Sequence, residues 1–288
     1  MPSPRHARLP DRHPTARTTV RNTDPVRVLP ARCRTGPGRM THAVARLRAD
    51  RLARSTKPFL ARGGPKGMRC GGCRLPPSHC LCAWQPRVPV QAGICLLMAD
   101  TEPLKPSNTG WLVADVVPAT AAFGWARTTT DPGLAALLAD PQWQPLVVFP
   151  QEYADPARVV QQLPSSAADC GTPARRPLFI LLDGTWAEAR KMFRKTPLLD
   201  ALPVLHLQPG QISAYRLRRS RRDDHFCTSE VASLCLQLAG EHCAAAVLDA
   251  WLDVFTHHYL QARHQLPADL HGAAHQQLQA AVAATAAA

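Results

Sequence analysis

The sequence predicts an α/β protein with a mostly parallel sheet and helices on both faces. Apolar runs alternate along the chain with segments of helical periodicity, as in β-α-β units. The run 178–182 is apolar throughout, which is typical of a strand buried on both faces, and it ends at the charged Asp183. Because open α/β sheets place their chemistry at the carboxyl ends of strands, the turn 183–185 is the first candidate site.

The other elements are predicted from the same two kinds of pattern, apolar runs for strands and helical spacing of apolar residues for helices. Strands are predicted at residues 91–98, 122–127, 146–150, 178–182 and 203–207. Helices are predicted at residues 46–62, 111–116, 134–138, 154–163, 186–195, 228–238 and 243–263. Thr228 or Ser229 is the expected cap of the helix at 228–238. Histidines 257, 258 and 264 are expected on the surface of the last helix.

The net charge of +13 is concentrated at one end of the chain. Residues 1–66 hold 16 of the 34 Lys and Arg residues but only three acidic residues, so the remainder is neutral. We expect a basic, disordered extension over 1–66 and a disordered tail over 265–288. The extension is either an arm that touches nucleic acid or an overlong start before Met40. Without a secretory signal or an apolar span, a cytoplasmic protein is predicted.

Four of the ten cysteines form two close pairs, Cys70 with Cys73 and Cys80 with Cys82. Short turns let both sulfurs of a pair reach one ion, so the spacing predicts a tetrahedral structural zinc site. We assign this knuckle to residues 67–86 and a catalytic domain to 87–264. The alternative is a set of buried free thiols. His79, next to Cys80, is expected to be a bystander.

Two further segments are candidate ligand-binding sites. The loop 102–110 is stiffened by proline and carries Ser107, Asn108 and Thr109, which can bind a ligand or only cap the next helix. After the strand at 203–207, five arginines fall within residues 216–222. Guanidinium groups grip phosphates, so this segment predicts phosphate binding, although a solvated charged loop has the same composition.

These landmarks, in this order, resemble the DTW-domain family, and within it the bacterial tRNA-uridine aminocarboxypropyltransferases. The segment LDGTWAEARKM carries the most specific part of the likeness, which spans about residues 68–264. The resemblance implies a fold related to the SPOUT class, with a C-terminal knot that holds S-adenosylmethionine. It also implies transfer of the 3-amino-3-carboxypropyl group to N3 of a uridine in the tRNA variable loop, with release of methylthioadenosine. No protein partner and no membrane are implied.

The resemblance also implies roles for single residues. Asp183 is the expected general base, because the N3 proton must leave as the nitrogen attacks; the alternative is an aspartate that only caps the next helix. Thr185 is expected to bind the base or hold Asp183, and Trp186 to wall the pocket, stack on a base or lie in the core. The expected cofactor-binding residues are Ser107, Asn108, Thr109, Ser213, Tyr215 and Thr228. The expected RNA-binding residues are Lys191, Arg216, Arg218 and Arg219.

The sequence departs from the family pattern at two places. Ala99 and Asp100 stand where other branches carry a histidine, and Trp111 stands where a basic residue is expected. Two other functions are compatible with the same sequence features. One is a SPOUT-like RNA methyltransferase, which needs the same cofactor and substrate class. The other is a zinc-ribbon RNA-binding protein without catalysis, in which replacing Asp183 would change no RNA modification.

Overall fold

A six-stranded sheet forms the centre of the protein. The structure is a computed structural model that describes residues 42–57, 59, 67–163, 174–207 and 226–287. The strands are β1 (Gly93–Met98), β2 (Ala121–Gly124), β3 (Trp143–Val148), β4 (Val159–Val160), β5 (Arg176–Asp183) and β6 (Val204–Leu205). Their order is β2-β1-β5-β3-β6-β4, and every neighbouring pair is parallel. The predicted parallel sheet is thereby confirmed.

Helices cover both faces of this sheet, as predicted. They are α1 (Ala43–Ala53), α2 (Gly110–Val116), α3 (Pro132–Ala139), α4 (Trp186–Lys195), α5 (Thr228–Leu238), α6 (His242–Arg263) and α7 (Ala273–Ala287). Alternate residues of β1 enter different cores: Ile94 and Leu96 pack with α2, α5 and α6, whereas Cys95 and Leu97 pack with α3 and α4. This alternation explains why the central strands are apolar throughout.

The register of β1 on β5 brings two distant parts of the chain together. Met98, the last residue of β1, lies opposite Asp183, the last residue of β5. The backbone N–H of Ala99 donates to the Asp183 carbonyl over 2.9 Å. The loop that follows β1 therefore begins beside the Asp183 turn, at the carboxyl edge where parallel strands end together.

Two segments inside the regions expected to be disordered form helices that pack on the domain. Residues 43–53 form α1, whose Arg48 guanidinium donates to the carbonyls of Pro103 and Leu104 over 3.2 and 2.8 Å. Residues 273–287 form α7, whose buried Leu278 belongs to the core beside α6. The helix predicted at 46–62 is thus present but begins and ends earlier, whereas no helix was predicted at 273–287. Each segment packs against the domain, and this packing stabilises the helix.

Two more predictions were wrong. The segment 154–163 is a short 3₁₀ turn, Pro156–Arg158, followed by β4, because two β-branched valines fit a sheet edge better than a helix. His258 is fully buried rather than on the surface. Its Nε2 lies 2.8 Å from Nε2 of His275, so α7 provides the polar partner that the sequence of α6 could not show.

The chain between β6 and α5, residues 208–225, lies outside the described residues, and the knot implied by the resemblance stays a prediction. Among the helices that are described, none has both the length and the apolar character required to span a bilayer.

Candidate functional site

Asp183 is the centre of the candidate site. Its side chain is 1% exposed, and both carboxylate oxygens accept hydrogen bonds. The Asn108 amide donates to Oδ2 over 2.7 Å, and the Thr228 hydroxyl donates to Oδ1 over 2.7 Å. One carboxylate thus joins the loop after β1, the end of β5 and the start of α5. Hydrogen bonds to a buried charged acceptor are among the strong ones in proteins.

The loop after β1 is built to present Asn108. Its side-chain oxygen accepts from the backbone N–H of Trp111 over 2.9 Å, so Asn108 caps α2 while its amide group reaches Asp183. The same amide lies 3.4 Å from Oε2 of the buried Glu102, whose other oxygen accepts from the Lys105 ammonium. Asn108 therefore caps α2 and also holds Asp183, and the predicted ligand-binding role of this loop stays a prediction.

Gly110 lets α2 approach the carboxylate. A Cβ atom at this position would overlap Asp183 Oδ2 and would lie 3.3 Å from both Asp183 Cγ and Leu96 Cδ1. The close approach of backbone to a charged side chain therefore requires glycine here. Sequence reasoning missed this role, and also that of Glu102, because both depend on contacts across the sheet edge.

Thr228 is available to Asp183 because another residue caps α5. Cys227 is the N-cap, and its backbone N–H donates to the Glu230 side chain over 2.7 Å. The expectation of a cap at Thr228 or Ser229 was wrong by one residue. Thr228 is the first residue of the helix and does not cap it, and its hydroxyl donates to Asp183.

The cap of α4 excludes the alternative in which Asp183 only caps that helix. Thr185 is the N-cap and forms a reciprocal capping box with Glu188. Partial burial acts to raise the pKa of Glu188, but hydrogen bonds from Thr185 and the charge of Lys105 outweigh it, so the pKa is lowered. Thr185 holds Glu188 rather than Asp183, and its own side chain is exposed.

A cavity of about 440 Å³ opens next to the Asp183 turn. This volume lies in the range of small-molecule pockets, about 300–1,000 Å³. The ends of β3, β5 and β6 and the start of α5 form its walls, which are mainly apolar. Residues that line it include Phe149, Leu181, His206, Leu207, Thr228 and Val231. Thr228 thus lines the cavity and also donates a hydrogen bond to Asp183, which is not itself a lining residue.

Aromatic rings form one wall of this cavity. The Trp186 ring stacks on Phe149 with 5.4 Å between centroids and 10° between planes, and Tyr153 meets it edge-on at 5.5 Å. Trp186 is 37% exposed, so it walls the pocket and does not lie in the core. Phe149 and Tyr153 were not among the predicted site residues, although Phe149 lies near the end of the strand predicted at 146–150, at the same sheet edge.

The four knuckle cysteines meet as predicted. Their sulfurs all lie within 4.8 Å of one another, and Cys70 Sγ is 3.4 Å from Cys82 Sγ and 3.7 Å from Cys80 Sγ. Four thiolates around zinc with Zn–S bonds of about 2.3 Å would have sulfurs about 3.8 Å apart. The residues therefore fit a tetrahedral metal such as zinc. His79 is a bystander, with ring nitrogens near Ser78 and the Leu266 carbonyl.

The structure brings together only part of the predicted site. Asn108, Asp183 and Thr228 are in contact, and Trp186 lies beside them in the cavity wall. Lys191 is exposed on α4, with its ammonium 5.7 Å from the Trp125 ring centroid. Thr109 is buried, and Ser107 is half-buried in the same loop. Outside the described residues lie Ser213, Tyr215, Arg216, Arg218 and Arg219.

Comparison with known families agrees with these landmarks. The family model described as the DTW domain matches residues 67–260, which include the knuckle, the loop after β1, the Asp183 turn and α5. No solved structure matches the chain. Since the match covers more than half of the sequence, the chain belongs to the DTW-domain family, which is consistent with a role in tRNA modification.

Proposed function

We propose that this protein transfers the 3-amino-3-carboxypropyl group of S-adenosylmethionine to N3 of a uridine in tRNA, in the variable loop, in the cytoplasm. The observation that carries the proposal is the buried Asp183 carboxylate, which is linked through Thr228 to a cavity of ligand size. S-adenosylmethionine supplies a carbon that is activated by the sulfonium, and methylthioadenosine is the leaving group. Zinc in the knuckle has a structural role in this proposal.

The contacts suggest how the N3 proton leaves. Asp183 is buried behind the cavity wall, whereas Thr228 lines the cavity. The Thr228 oxygen takes the N3 proton while its own proton passes to Asp183 Oδ1, along the 2.7 Å hydrogen bond. The N3 electron pair then forms the new C–N bond, and the pair of the broken C–S bond leaves with sulfur. Asp183 thus acts as the general base through Thr228.

The same contacts divide the remaining tasks. Asn108 donates to Asp183 Oδ2 and keeps the carboxylate turned toward Thr228. Trp186 is 37% exposed in the cavity wall, with Phe149 stacked on its ring and the Arg190 guanidinium 6.0 Å from the ring centroid, and its exposed part is suited to contact a nucleobase. We propose that Ser107, Thr109, Ser213 and Tyr215 complete the S-adenosylmethionine site, as the resemblance implies.

The basic residues of α4 suit the RNA. On α4, Lys191, Arg194 and Lys195 are exposed, and this helix begins at the cavity wall with Trp186. Phosphate contacts of this kind position an RNA without reading its sequence. We propose that Arg216, Arg218 and Arg219 extend this surface.

The test is mass spectrometry of the products formed from S-adenosylmethionine and unmodified tRNA. We expect methylthioadenosine and an aminocarboxypropyl adduct on uridine. S-adenosylhomocysteine would instead identify an RNA methyltransferase, and tRNA binding without either product would identify a non-catalytic RNA-binding protein.

Variants of the proton path sharpen the test. Because general base catalysis contributes about 10²–10⁴-fold, Asp183→Asn and Thr228→Val should each lower kcat by at least about 10²-fold. Thr228→Ser keeps the hydroxyl and is the matched control, with a rate close to that of the wild type. If Thr228→Val has the wild-type rate, the proton does not pass through Thr228.

A further inference from the structure

Arg74 connects the cysteine knuckle to the candidate site. It follows Cys73 directly, and its side chain is 1% exposed. Its backbone has φ = 66°, a left-handed conformation that non-glycine residues rarely adopt. Two hydrogen bonds close the turn around it: Arg74 N donates to Cys70 O over 2.9 Å, and Cys70 N donates to Leu75 O over 2.8 Å. The knuckle thus imposes the direction in which the Arg74 side chain leaves the backbone.

The guanidinium of Arg74 binds the loop that presents Asn108. Its Nη1 donates to the carbonyl oxygens of Asn108 over 2.8 Å and Pro106 over 3.0 Å, and the Lys105 carbonyl lies at 3.5 Å. These carbonyls belong to Asn108 itself and to Lys105 and Pro106, which precede it in the same loop. A single cationic donor therefore holds the backbone of the residue whose side chain binds Asp183.

Aromatic rings fix the guanidinium in place. Its carbon lies 4.6 Å from the Trp111 ring centroid and 5.0 Å from that of Phe255. Contacts of a guanidinium with ring faces are favourable and gain strength when the group is desolvated. Trp111 is also the residue whose backbone N–H binds Asn108 Oδ1, so Arg74 contacts the loop at both ends of this cap.

We propose that Arg74 is a positioning residue that transmits the order of the metal-bound knuckle to the Asn108 loop and so to Asp183. When the four thiols hold a metal, the turn around Arg74 is fixed, and the guanidinium keeps the loop carbonyls in place. When the metal leaves, the turn loosens, and the loop loses its donor. The metal then acts on the site as well as on the stability of the fold; this last step rests on the proposed function.

Hydrogen exchange of the zinc-loaded full chain tests the proposal without any activity assay. The loss of a hydrogen bond to a charged group raises local opening by about tenfold or more. We expect Arg74→Met to speed amide exchange over residues 105–111 by this factor, with zinc content unchanged. Arg74→Lys, which keeps one cationic donor without the planar fork, should give a smaller increase.

Arg158 offers a matched control. Its guanidinium also donates to backbone carbonyls, those of Leu199 and Leu202, and lies 5.8 Å from the Phe193 ring centroid. Arg158→Met removes contacts of the same kind at a half-buried site elsewhere in the protein and should leave exchange over 105–111 at the wild-type rate. If both variants speed this segment equally, the effect is general destabilisation and the proposal is wrong.

Chelation tests the link to the metal. Removing zinc from the wild type should speed exchange over 105–111, whereas in Arg74→Met it should add little, because the connection is already lost. Equal acceleration by chelation in both proteins would overturn the proposal, as would wild-type exchange in Arg74→Met.

Kinetics separate this inference from the proposed function. If the wild type makes the uridine adduct, Arg74→Met should lower kcat at least tenfold with little change in the KM for tRNA, since the loop orients Asp183 and does not bind RNA phosphates. If the wild type makes no adduct, the proposed function fails, while the exchange data still decide the role of Arg74.

Discussion

Replacing Gly110 by alanine tests the packing of the candidate site, because two physical effects oppose each other there. Alanine is the better helix former, and in a helix interior it is favoured over glycine by about 1 kcal/mol. At the first residue of α2, however, the new methyl group would overlap Asp183 Oδ2. Helix propensity alone predicts a more stable protein, whereas the structure predicts a less stable one.

The contacts set the size of the loss. To make room, the carboxylate must move away from the Asn108 amide, and a hydrogen bond to a charged group is worth about 1.5–3 kcal/mol. Overpacking against Leu96 Cδ1, 3.3 Å from the new atom, costs about 1–3 kcal/mol more. After subtraction of the propensity gain, we expect Gly110→Ala to lower the free energy of unfolding by about 1.5–5 kcal/mol.

Urea unfolding of the zinc-loaded protein, followed by circular dichroism, measures this change. Gly124→Ala is the control, because an added Cβ meets nothing within 4 Å there, and we expect a change within about 0.5 kcal/mol. A Gly110→Ala protein as stable as the wild type, or more stable, would refute the close approach of α2 to Asp183.

Two other predictions concern the knuckle and the buried histidines. Cys73→Ser should lower bound zinc from about one ion per chain to almost none and should lower the thermal midpoint of unfolding. Cys243→Ser lies outside the knuckle and should change neither quantity. Metal analysis and thermal melts measure both effects, and zinc retained by Cys73→Ser would contradict the assignment. Burial, together with the charges of His275, His257 and His79, lowers the pKa of His258 to about 4. His258 is therefore protonated near pH 6.5 in the unfolded chain but only near pH 4 in the folded protein. The free energy of unfolding falls as pH falls through this window, by up to about 1.4 kcal/mol per pH unit. Urea midpoints between pH 7 and pH 5 measure this slope, which should be smaller in His258→Phe than in the wild type; equal slopes would show that His258 is not its source.

The amino-acid sequence alone was enough for the elements whose patterns are local. The apolar run of β5 and the amphipathic α4 are visible within about ten residues, because side-chain periodicity follows directly from strand and helix geometry. The four knuckle cysteines fall within residues 70–82, so short turns suffice to bring their sulfurs together. Asp183 was also identified correctly as the polar end of the central strand.

Composition was a poor guide where packing decides. The segment 273–287 was assigned to a disordered tail, and the helix predicted at 46–62 was assigned to a disordered extension, yet both α7 and α1 pack on the domain, which offers a surface to cover. His258 was read as a surface residue, since a single helix shows which residues share a face but not whether another helix lies over that face.

Only the tertiary structure decided which residues meet at Asp183. Asn108 lies 75 positions before it and Thr228 lies 45 positions after it. Their contact depends on the register of β1 on β5 and on the placement of α5, which are set by the packing of whole faces and leave no local trace in the sequence. The need for glycine at 110 and the link from Arg74 to the Asn108 loop arise in the same way, because each is a contact between segments that only the folded sheet brings together.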